Sequence, residues 1–393
     1  MMKKPFLAVV LVGLSILASA CLEIATEPFY AGWYSGVYHN DPSEEIVAIG
    51  GSRALYYHMG YLTDEKVQSR LDEAYANGLE IIMNVDGIDQ DGSDVIAVDA
   101  ARVQEFVATF KDHPGVIGWY TADEPSGLAQ KALCQVAYDA VKAVDPDKPV
   151  YLCINHSDNG SIVLFAPAYD VLIYDSYKFK QGDPACYRIE SHGFLWWHDN
   201  GLKEQFADVA LRAAVAGRPW VFAAQGFGRA IDCDTRLPTV REHRFQTYYA
   251  FLKGAQGILA FEYNAALDSV ADPEDAYPEA GTQWVTDVYQ PLAEEIALIG
   301  DALGTEPDTT NVSDDATDLH SNLYQDPNNG NYYLFALNDS DNDFNTTFTI
   351  ILTGDWIEAV PLNGSSAIQL SDNQFTDYFD RYDVIVYELV PGS

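Results

Sequence analysis

Two adjacent carboxylic acids, Asp123 and Glu124, end an apolar run and are followed by Pro125. The run, residues 115–122, is typical of a buried strand, and proline disfavours the helical region for the residue before it. We therefore expect Glu124 to be extended at a strand tip, where a rigidly held carboxyl group suits general acid–base catalysis. A helix cap is the alternative, because acidic residues and proline are both common where helices begin.

Other polar side chains follow predicted strands in the same way. Two are carboxylic acids, Asp175 and Glu262. The neutral ones, which we expect to bind substrate, are Tyr34, His58, Asn84, Tyr177, Gln225 and Tyr263. Two carboxyl groups facing each other across a cleft can hydrolyse glycosides. One protonates the leaving oxygen, and the other attacks the anomeric carbon or activates water.

Aromatic residues near these strand ends could stack on the apolar faces of sugar rings. They are Trp196, Trp197, Tyr177, Phe227 and Tyr263. Both tryptophans lie in a long predicted loop, residues 178–201. Packing in the core or at the rim of a cleft is the alternative for each ring.

The elements that must position these residues alternate between apolar runs and amphipathic stretches. The apolar runs are residues 29–34, 53–57, 80–85, 116–122, 150–154, 171–174, 220–224 and 257–261. This alternation predicts an α/β fold, a (β/α)8 TIM barrel over residues 21–304, with its site at the carboxyl ends of the strands. An open doubly wound sheet is the alternative, but no glycine-rich fingerprint follows the first run.

Beyond residue 304 the pattern changes. Residues 305–318 are polar and predict a linker, and residues 319–393 contain short strand-like runs separated by turn residues. This pattern predicts a small antiparallel β-sandwich as an accessory domain. Asp339, Asp341 and Asp343 have the spacing of a calcium loop, but Phe344 and Ile350 occupy positions where an EF-hand needs Gly and Glu.

The chain is strongly acidic, with 59 Asp and Glu against 22 Lys and Arg and a net charge of −37. Nucleic acid is excluded as a partner, because phosphate binding requires a basic surface. A carbohydrate without negative charge is the substrate that this surface repels least. The oligomeric state stays open.

The N-terminal residues predict export from the cell. A basic start, an apolar run and Ala18-Ser19-Ala20 form a signal peptide over residues 1–20. Cys21 then stands where bacterial lipoproteins carry their acylated cysteine, although Ala-Ser-Ala also suits ordinary signal peptidase. We therefore expect a secreted protein or a cell-envelope lipoprotein, with a lipid at Cys21 as its sole membrane contact.

Four further cysteines could pair in three ways: Cys134, Cys153, Cys186 and Cys233. Buried free thiols are the alternative for Cys134 and Cys153.

The sequence resembles secreted (β/α)8 glycoside hydrolases of the large retaining clan that places Asn-Glu-Pro at the end of strand four. The match is Asp-Glu-Pro at 123–125, preceded by residues 113–120, and residues 218–228 and 241–264 resemble the last strands of such barrels. The resemblance implies that Glu124 is the acid/base. It also implies that Asp123 replaces the asparagine that contacts the sugar beside the scissile bond.

The sequence departs from this pattern at strand seven, where the clan has its nucleophilic glutamate and this chain has Gln225. A neutral amide cannot be a nucleophile, so Glu262 or Asp175 is left for the role of second carboxylate. The alternative function is a carbohydrate-binding or scaffold lipoprotein that has lost catalysis. We expect no cofactor and no metal, because His-x-His pairs, a Gly-x-Ser-x-Gly elbow and a phosphate-binding loop are all missing from the sequence.

Overall fold

Eight parallel strands close into a barrel in the computed structural model. The structure describes residues 28–36, 42–57, 59, 62–91, 94–155, 161–177, 201–228, 236–268 and 281–392. The barrel strands are β1 (Tyr30–Gly36), β2 (Arg53–Tyr57), β3 (Glu80–Asn84), β6 (Val116–Ala122), β7 (Val150–Ile154), β8 (Val171–Asp175), β9 (Trp220–Gln225) and β10 (Ala255–Phe261). Around the barrel they follow the order β1-β10-β9-β8-β7-β6-β3-β2. The predicted TIM barrel is confirmed, and the fourth, sixth, seventh and eighth barrel strands are β6, β8, β9 and β10.

Helices cover the outside of the barrel. They are α1 (Ser43–Ala48), α2 (Asp64–Ala76), α3 (Ala100–Phe110), α4 (Gly127–Lys142), α5 (Ser161–Phe165), α6 (Leu202–Ala216), α7 (Val240–Leu252), α8 (Tyr263–Asp268), α9 (Thr282–Trp284) and α10 (Gln290–Leu303). A π-helical turn, Val285–Tyr289, joins α9 to α10, and a 3-10 turn, Ala166–Ala168, follows α5. Among the described residues, no helix has the length and apolar character needed to cross a membrane.

Alternation along the strands separates two apolar layers. Side chains such as Val171 and Ile173 fill the lumen, whereas Leu172 and Tyr174 pack between the barrel and the helices. The lumen is rich in tyrosine, with Tyr30, Tyr34, Tyr120 and Tyr151 among its buried residues. Because Asp175 continues the inward positions of β8, its side chain belongs to the lumen.

One hairpin that the sequence pattern did not predict interrupts the βα alternation. β4 (Ile88–Asp91) and β5 (Asp94–Val98) pair antiparallel between β3 and α3. β4 is polar apart from Ile88, and Val95 is the one buried residue of β5. The two strands therefore lack the alternating apolar pattern on which strand prediction depends. The hairpin contacts β6, the strand that ends at the two adjacent acids.

The C-terminal part forms two antiparallel sheets, as predicted. Its strands are β11 (Val312–Ser313), β12 (Leu319–Gln325), β13 (Tyr332–Asn338), β14 (Phe344–Ile350), β15 (Trp356–Pro361), β16 (Ile368–Gln369), β17 (Gln374–Phe379) and β18 (Val384–Pro391). They pair in the orders β11-β14-β17 and β12-β13-β18-β15-β16. Residues 305–318, expected as a linker, contain β11 and exchange two backbone hydrogen bonds between Asp308 and Leu323. This segment is therefore held against the sheets.

The barrel and the sheets share one apolar core. Phe335 on β13 and Tyr382 beside β18 pack against α7, the ring centroids of Tyr248 and Phe335 being 5.7 Å apart. At the same contact Arg244 of α7 forms two hydrogen bonds with Glu295 of α10, at 2.6 and 3.0 Å. Arg244 also donates to the backbone oxygen of Val384, at 3.2 Å.

Candidate active site

A bulge near the end of β6 sets the direction of the acidic pair. β6 has one more residue than β7 at this point, since Tyr120 pairs with Tyr151 and Ala122 with Leu152. The extra residue brings Tyr120 and Asp123 to the same side of the strand, where the Tyr120 hydroxyl donates to Asp123 Oδ1 at 2.6 Å. The bulge thus aims Asp123 into the lumen.

Glu124 follows with a φ of 48°, in the left-handed region and not in the extended conformation expected from Pro125. Its backbone N–H donates to the carbonyl of Cys153 on β7, at 3.0 Å, and this bond turns the chain. A left-handed φ at a non-glycine residue costs on the order of 1–2 kcal/mol. Strained backbone conformations of this kind cluster at functional sites, and here the strain falls beside two adjacent acids.

Asp175, at the end of β8, meets this pair inside the lumen. Its side chain is 4% exposed and hydrogen-bonded to Glu124, with Tyr177 as a second neighbour. Burial, followed by the hydrogen bond and charge of Glu124 and the charge of Asp123, raises the pKa of Asp175 well above its ordinary value. Its Oδ1 atom is buried without a hydrogen-bond partner.

Asp123 has a different environment. Burial raises its pKa to about 6, and the negative charge of Glu124 contributes, whereas hydrogen bonds from Tyr120, Cys153 and Tyr57 oppose the rise. Asp123 is therefore mostly ionised at neutral pH, and the pKa of the neighbouring Asp175 is raised as well. Buried carboxyl groups with raised pKa values are common in acid–base catalysis.

Tyrosine side chains connect Asp123 to the first strand. Tyr34 on β1 donates to the Tyr120 hydroxyl at 2.8 Å, and Tyr120 donates in turn to Asp123. Tyr34 and Tyr120 are buried, and burial raises the pKa of each well above its ordinary value. Both therefore stay neutral hydrogen-bond donors. The predicted site residue Asn84 lies close by and donates weakly to the Tyr120 carbonyl, at 3.4 Å.

A site residue that the sequence did not reveal, Gln90, comes from the β4–β5 hairpin. Its Nε2 donates to the carbonyl of Asp123 at 2.6 Å, and its Oε1 accepts from the N–H of Asp123 at 3.3 Å. Gln130 of α4 holds the hairpin itself through Val95 N–H and Asp94. Gln90 therefore fixes the backbone of the acidic pair.

Aromatic rings cluster beside the acids at the ends of β8, β9 and β10. Tyr177 is stacked on Phe261, with centroids 5.4 Å apart, and Phe227 meets both rings edge-to-face at 5.0 and 5.8 Å. Phe261, the last residue of β10, was not singled out from the sequence because a strand-end phenylalanine is indistinguishable from a core residue.

Two predicted substrate-binding residues have other contacts. Gln225 is fully buried at an inward position of β9, and its Nε2 donates to the carbonyls of Phe227 and Arg236 at 3.2 and 2.9 Å. Tyr263 packs in the outer layer, edge-to-face on Trp33 at 5.3 Å, with 7% of its surface exposed. The Gln225 amide therefore supports a loop backbone, and at Tyr263 the chain has turned outward after β10.

Glu262 follows β10 directly and is partly buried. In the strand order β10 lies four places from β6, so these two strands stand opposite each other across the barrel. Glu262 thus follows the strand opposite the one that precedes Glu124, whereas Asp175 ends a strand two places from it.

Several predictions fall on other parts of the chain. His58, Trp196, Trp197, Cys21 and the signal peptide lie outside the described residues, as do Cys186 and Cys233. Cys134 and Cys153 are buried free thiols, the second of the two alternatives, and Cys153 faces the acids in the lumen. In the described part of the chain, no group of His, Cys, Asp and Glu side chains could hold a metal ion.

Comparisons with known proteins agree with this fold. Residues 61–198 match the model of the TIM barrel domain of glycosyl hydrolases family 2. A comparison with curated proteins found no match.

Among solved structures, a glycoside hydrolase aligns with a TM-score of 0.60 and 13% identity, over 94% of this chain and 96% of its own. A glycoside hydrolase family 5 protein from Bacteroides vulgatus aligns with a TM-score of 0.57 and 11% identity, over 92% and 89%. A beta-galactosidase from Bacillus circulans sp. alkalophilus gives 0.57 and 8%, over 93% and 99%. The structural similarities establish the fold, and the family match supports a glycosidase.

Proposed function

We propose that this protein hydrolyses O-glycosidic bonds of a neutral oligo- or polysaccharide, with Glu124 as the proton donor. The observation that carries the proposal is the constrained turn after β6. This turn holds Glu124 beside Asp123 and Asp175 at the carboxyl ends of the barrel strands. Barrel enzymes have their sites at this end, and glycoside hydrolysis needs a carboxylic acid positioned at the leaving oxygen.

The second carboxylate in this proposal is Glu262. It follows the strand opposite β6, and a base or nucleophile must reach the far side of the anomeric carbon from the proton donor. A separation of ~5–5.5 Å between the two carboxyl groups gives retention of configuration, and ~6.5–9.5 Å gives inversion. NMR of the first-formed anomer distinguishes these outcomes.

The surroundings of the acids favour an uncharged sugar ring. The groups that act on Asp123 and Asp175 are carboxyls, hydroxyls and a thiol, so an anionic sugar would enter against their negative charge. Tyr177 and Phe261 provide adjoining aromatic faces for stacking. Asp123, mostly ionised at neutral pH, would contact the sugar and stabilise positive charge developing at the anomeric carbon.

Glu124→Gln tests the assignment, because glutamine keeps the size of the side chain and removes the proton. We expect a loss of about 10²–10⁴ in kcat/KM on a phenyl glycoside. A dinitrophenyl glycoside, whose leaving group needs no proton, should lose far less. The matched control is Glu294→Gln on the exposed face of α10, which should leave both rates unchanged. Equal rates for Glu124→Gln and the wild type would contradict the proposal.

A carbohydrate-binding protein without turnover is the second candidate function. The observation favouring it is that Gln225, a neutral amide, ends the seventh strand. Its side chain donates hydrogen bonds to two backbone carbonyls. Calorimetry and hydrolysis assays on one panel of neutral oligosaccharides separate the two functions. Binding without hydrolysis, unaffected by Glu124→Gln, would identify a binding protein.

Export is part of the proposal and rests on the N-terminal sequence alone. A signal peptide over residues 1–20 would deliver the protein outside the cytoplasm, where polymeric carbohydrate is encountered. Mass spectrometry of the mature N-terminus separates a lipid-modified Cys21 from simple secretion.

A further inference from the structure

The place of Asp175 in the lumen argues against the role of nucleophile or base that its sequence position suggested. β8 lies two places from β6 in the barrel, and Asp175 reaches Glu124 from the side to form a hydrogen bond. A nucleophile must instead approach from across the sugar. Asp175 is also 4% exposed, so little of it can reach an anomeric carbon.

Two ionised carboxylates cannot form a hydrogen bond with each other, because neither has a proton to donate. The contact between Asp175 and Glu124 therefore contains a proton. Of the two groups Asp175 is the more buried, and burial penalises the charged form. The proton consequently belongs to Asp175, with Glu124 as its acceptor.

The titratable groups around Asp175 lead to the same assignment. Within the described part of the chain they are Glu124 and Asp123 after β6, Cys153 on β7 and Tyr177 after β8. All of them are neutral or negative, so ionising Asp175 would add a negative charge to a buried acidic cluster. Together with burial, their influence raises the pKa of Asp175 well above its ordinary value. The hydrogen-bond donor is thus lost only as the pH rises through that raised pKa.

We propose that Asp175 acts as a neutral carboxylic acid whose O–H donates a hydrogen bond to Glu124. It is therefore a positioning residue for the proton donor. The proposal rests on the proposed role of Glu124. When the glycosidic C–O bond breaks, its electron pair goes to the leaving oxygen, which takes the proton from Glu124. The resulting Glu124 carboxylate then accepts the hydrogen bond of Asp175, which stabilises it in the transition state.

Asp175→Asn is the decisive variant, because asparagine has nearly the same shape and can donate through its amide but cannot act as a nucleophile or base. We expect kcat/KM to stay within about 10-fold of the wild type. The hydrogen bond is retained, so the change should not exceed the contribution of one hydrogen bond. If a folded Asp175→Asn protein loses activity as completely as Glu124→Gln, the proposal is overturned.

Asp175→Ala removes the donor. We expect a loss of about 10²-fold in kcat/KM. Because asparagine restores a hydrogen-bond donor and alanine does not, we expect Asp175→Asn to be much more active than Asp175→Ala. A merely structural role would lower the activity of the two variants by similar factors. If Asp175→Ala fails to fold, as judged by circular dichroism, Asp175→Asn still decides.

Azide provides an independent readout. If Asp175 were the nucleophile, Asp175→Ala with azide would recover activity and form a glycosyl azide, whereas we expect neither.

Failure of this inference can be distinguished from failure of the proposed function. An inactive Asp175→Asn beside an inactive Glu124→Gln overturns only the role of Asp175, and an active Glu124→Gln overturns the proton donor itself.

Discussion

At the scale of single residues, the site depends on carboxyl groups held in unequal environments. Asp123 is ionised near neutral pH at a cost in stability, since burial raises its pKa from 3.8 to about 6. The hydrogen bond from Tyr120 offsets part of this cost without removing it. A group maintained in an unfavourable environment is a common property of catalytic sites, where function is kept at the expense of stability.

Asp123→Asn should therefore stabilise the protein in a pH-dependent way. Because the folded pKa of Asp123 lies above the unfolded value, its contribution to stability is fully present below pH 3.8 and is lost as the pH rises through about 6. Asparagine does not ionise, so the variant does not lose this stability as the pH rises. We expect equal stabilities near pH 3.5 and an advantage for the variant of about 3 kcal/mol at most at pH 8.

Urea denaturation of both proteins at several pH values measures this difference. Asp112→Asn, which changes an exposed carboxylate, is the control and should show no trend with pH. A constant difference between wild type and Asp123→Asn at every pH would show that Asp123 is not buried as described.

At the scale of secondary structure, two local irregularities make the site. The bulge in β6 turns Asp123 inward, and the β4–β5 hairpin brings Gln90 against the backbone of Asp123. Both lie outside the regular βα repeat. This agrees with the general finding that barrels vary their function through the segments that follow the strands.

Gln90→Ala should impair catalysis more than stability. The hairpin keeps its attachment to α4 through Gln130, so we expect the free energy of unfolding to fall by only about 1 kcal/mol. Asp123 and Glu124 would lose the contact that fixes their backbone. A displacement of this kind can cost up to about 10²-fold, which we expect in kcat with little change in KM.

Kinetics on an aryl glycoside, with denaturation alongside, test this expectation. Asp89→Asn, on the exposed side of the same strand, is the matched control and should behave like the wild type. An unchanged kcat in Gln90→Ala would show that β6 alone holds the acidic pair.

At the scale of the whole molecule, the C-terminal sheets are part of the barrel's core. The Arg244–Glu295 pair is buried at this contact, with side-chain exposures of 11% and 4%, and Tyr248 donates to Glu295 at 2.6 Å. Arg244 extends the network to Val384 of β18. The accessory part therefore supports the barrel through α7 and α10.

We expect the barrel and the sheets to unfold in one cooperative transition. Glu295→Gln leaves the buried charge of Arg244 without its partner and should lower the free energy of unfolding by about 3–5 kcal/mol. Asp208→Asn removes the exposed Arg212–Asp208 pair on α6 and should cost no more than about 1 kcal/mol. Calorimetry of each variant measures both values. Two separate transitions in the wild type would show that the sheets fold independently.

The sequence by itself determined the repeating architecture and the candidate proton donor. Apolar runs alternating with helical stripes predicted all eight barrel strands, and β2, β6 and β7 have the predicted bounds. This succeeded because burial of strands and of helix faces leaves a periodic apolar pattern along the chain. The position of Glu124 at the end of the fourth strand followed from counting these units.

Tertiary structure decided the geometry around Glu124, because that geometry depends on contacts between distant segments. The left-handed turn at Glu124 requires the carbonyl of Cys153 on a neighbouring strand, and Gln90 reaches Asp123 from the mostly polar strand β4. The raised pKa of Asp175 depends on burial and on carboxyl groups more than fifty positions earlier in the chain. Sequence periodicity shows which residues are buried, but the electric environment of a side chain is set by the charges that folding brings next to it.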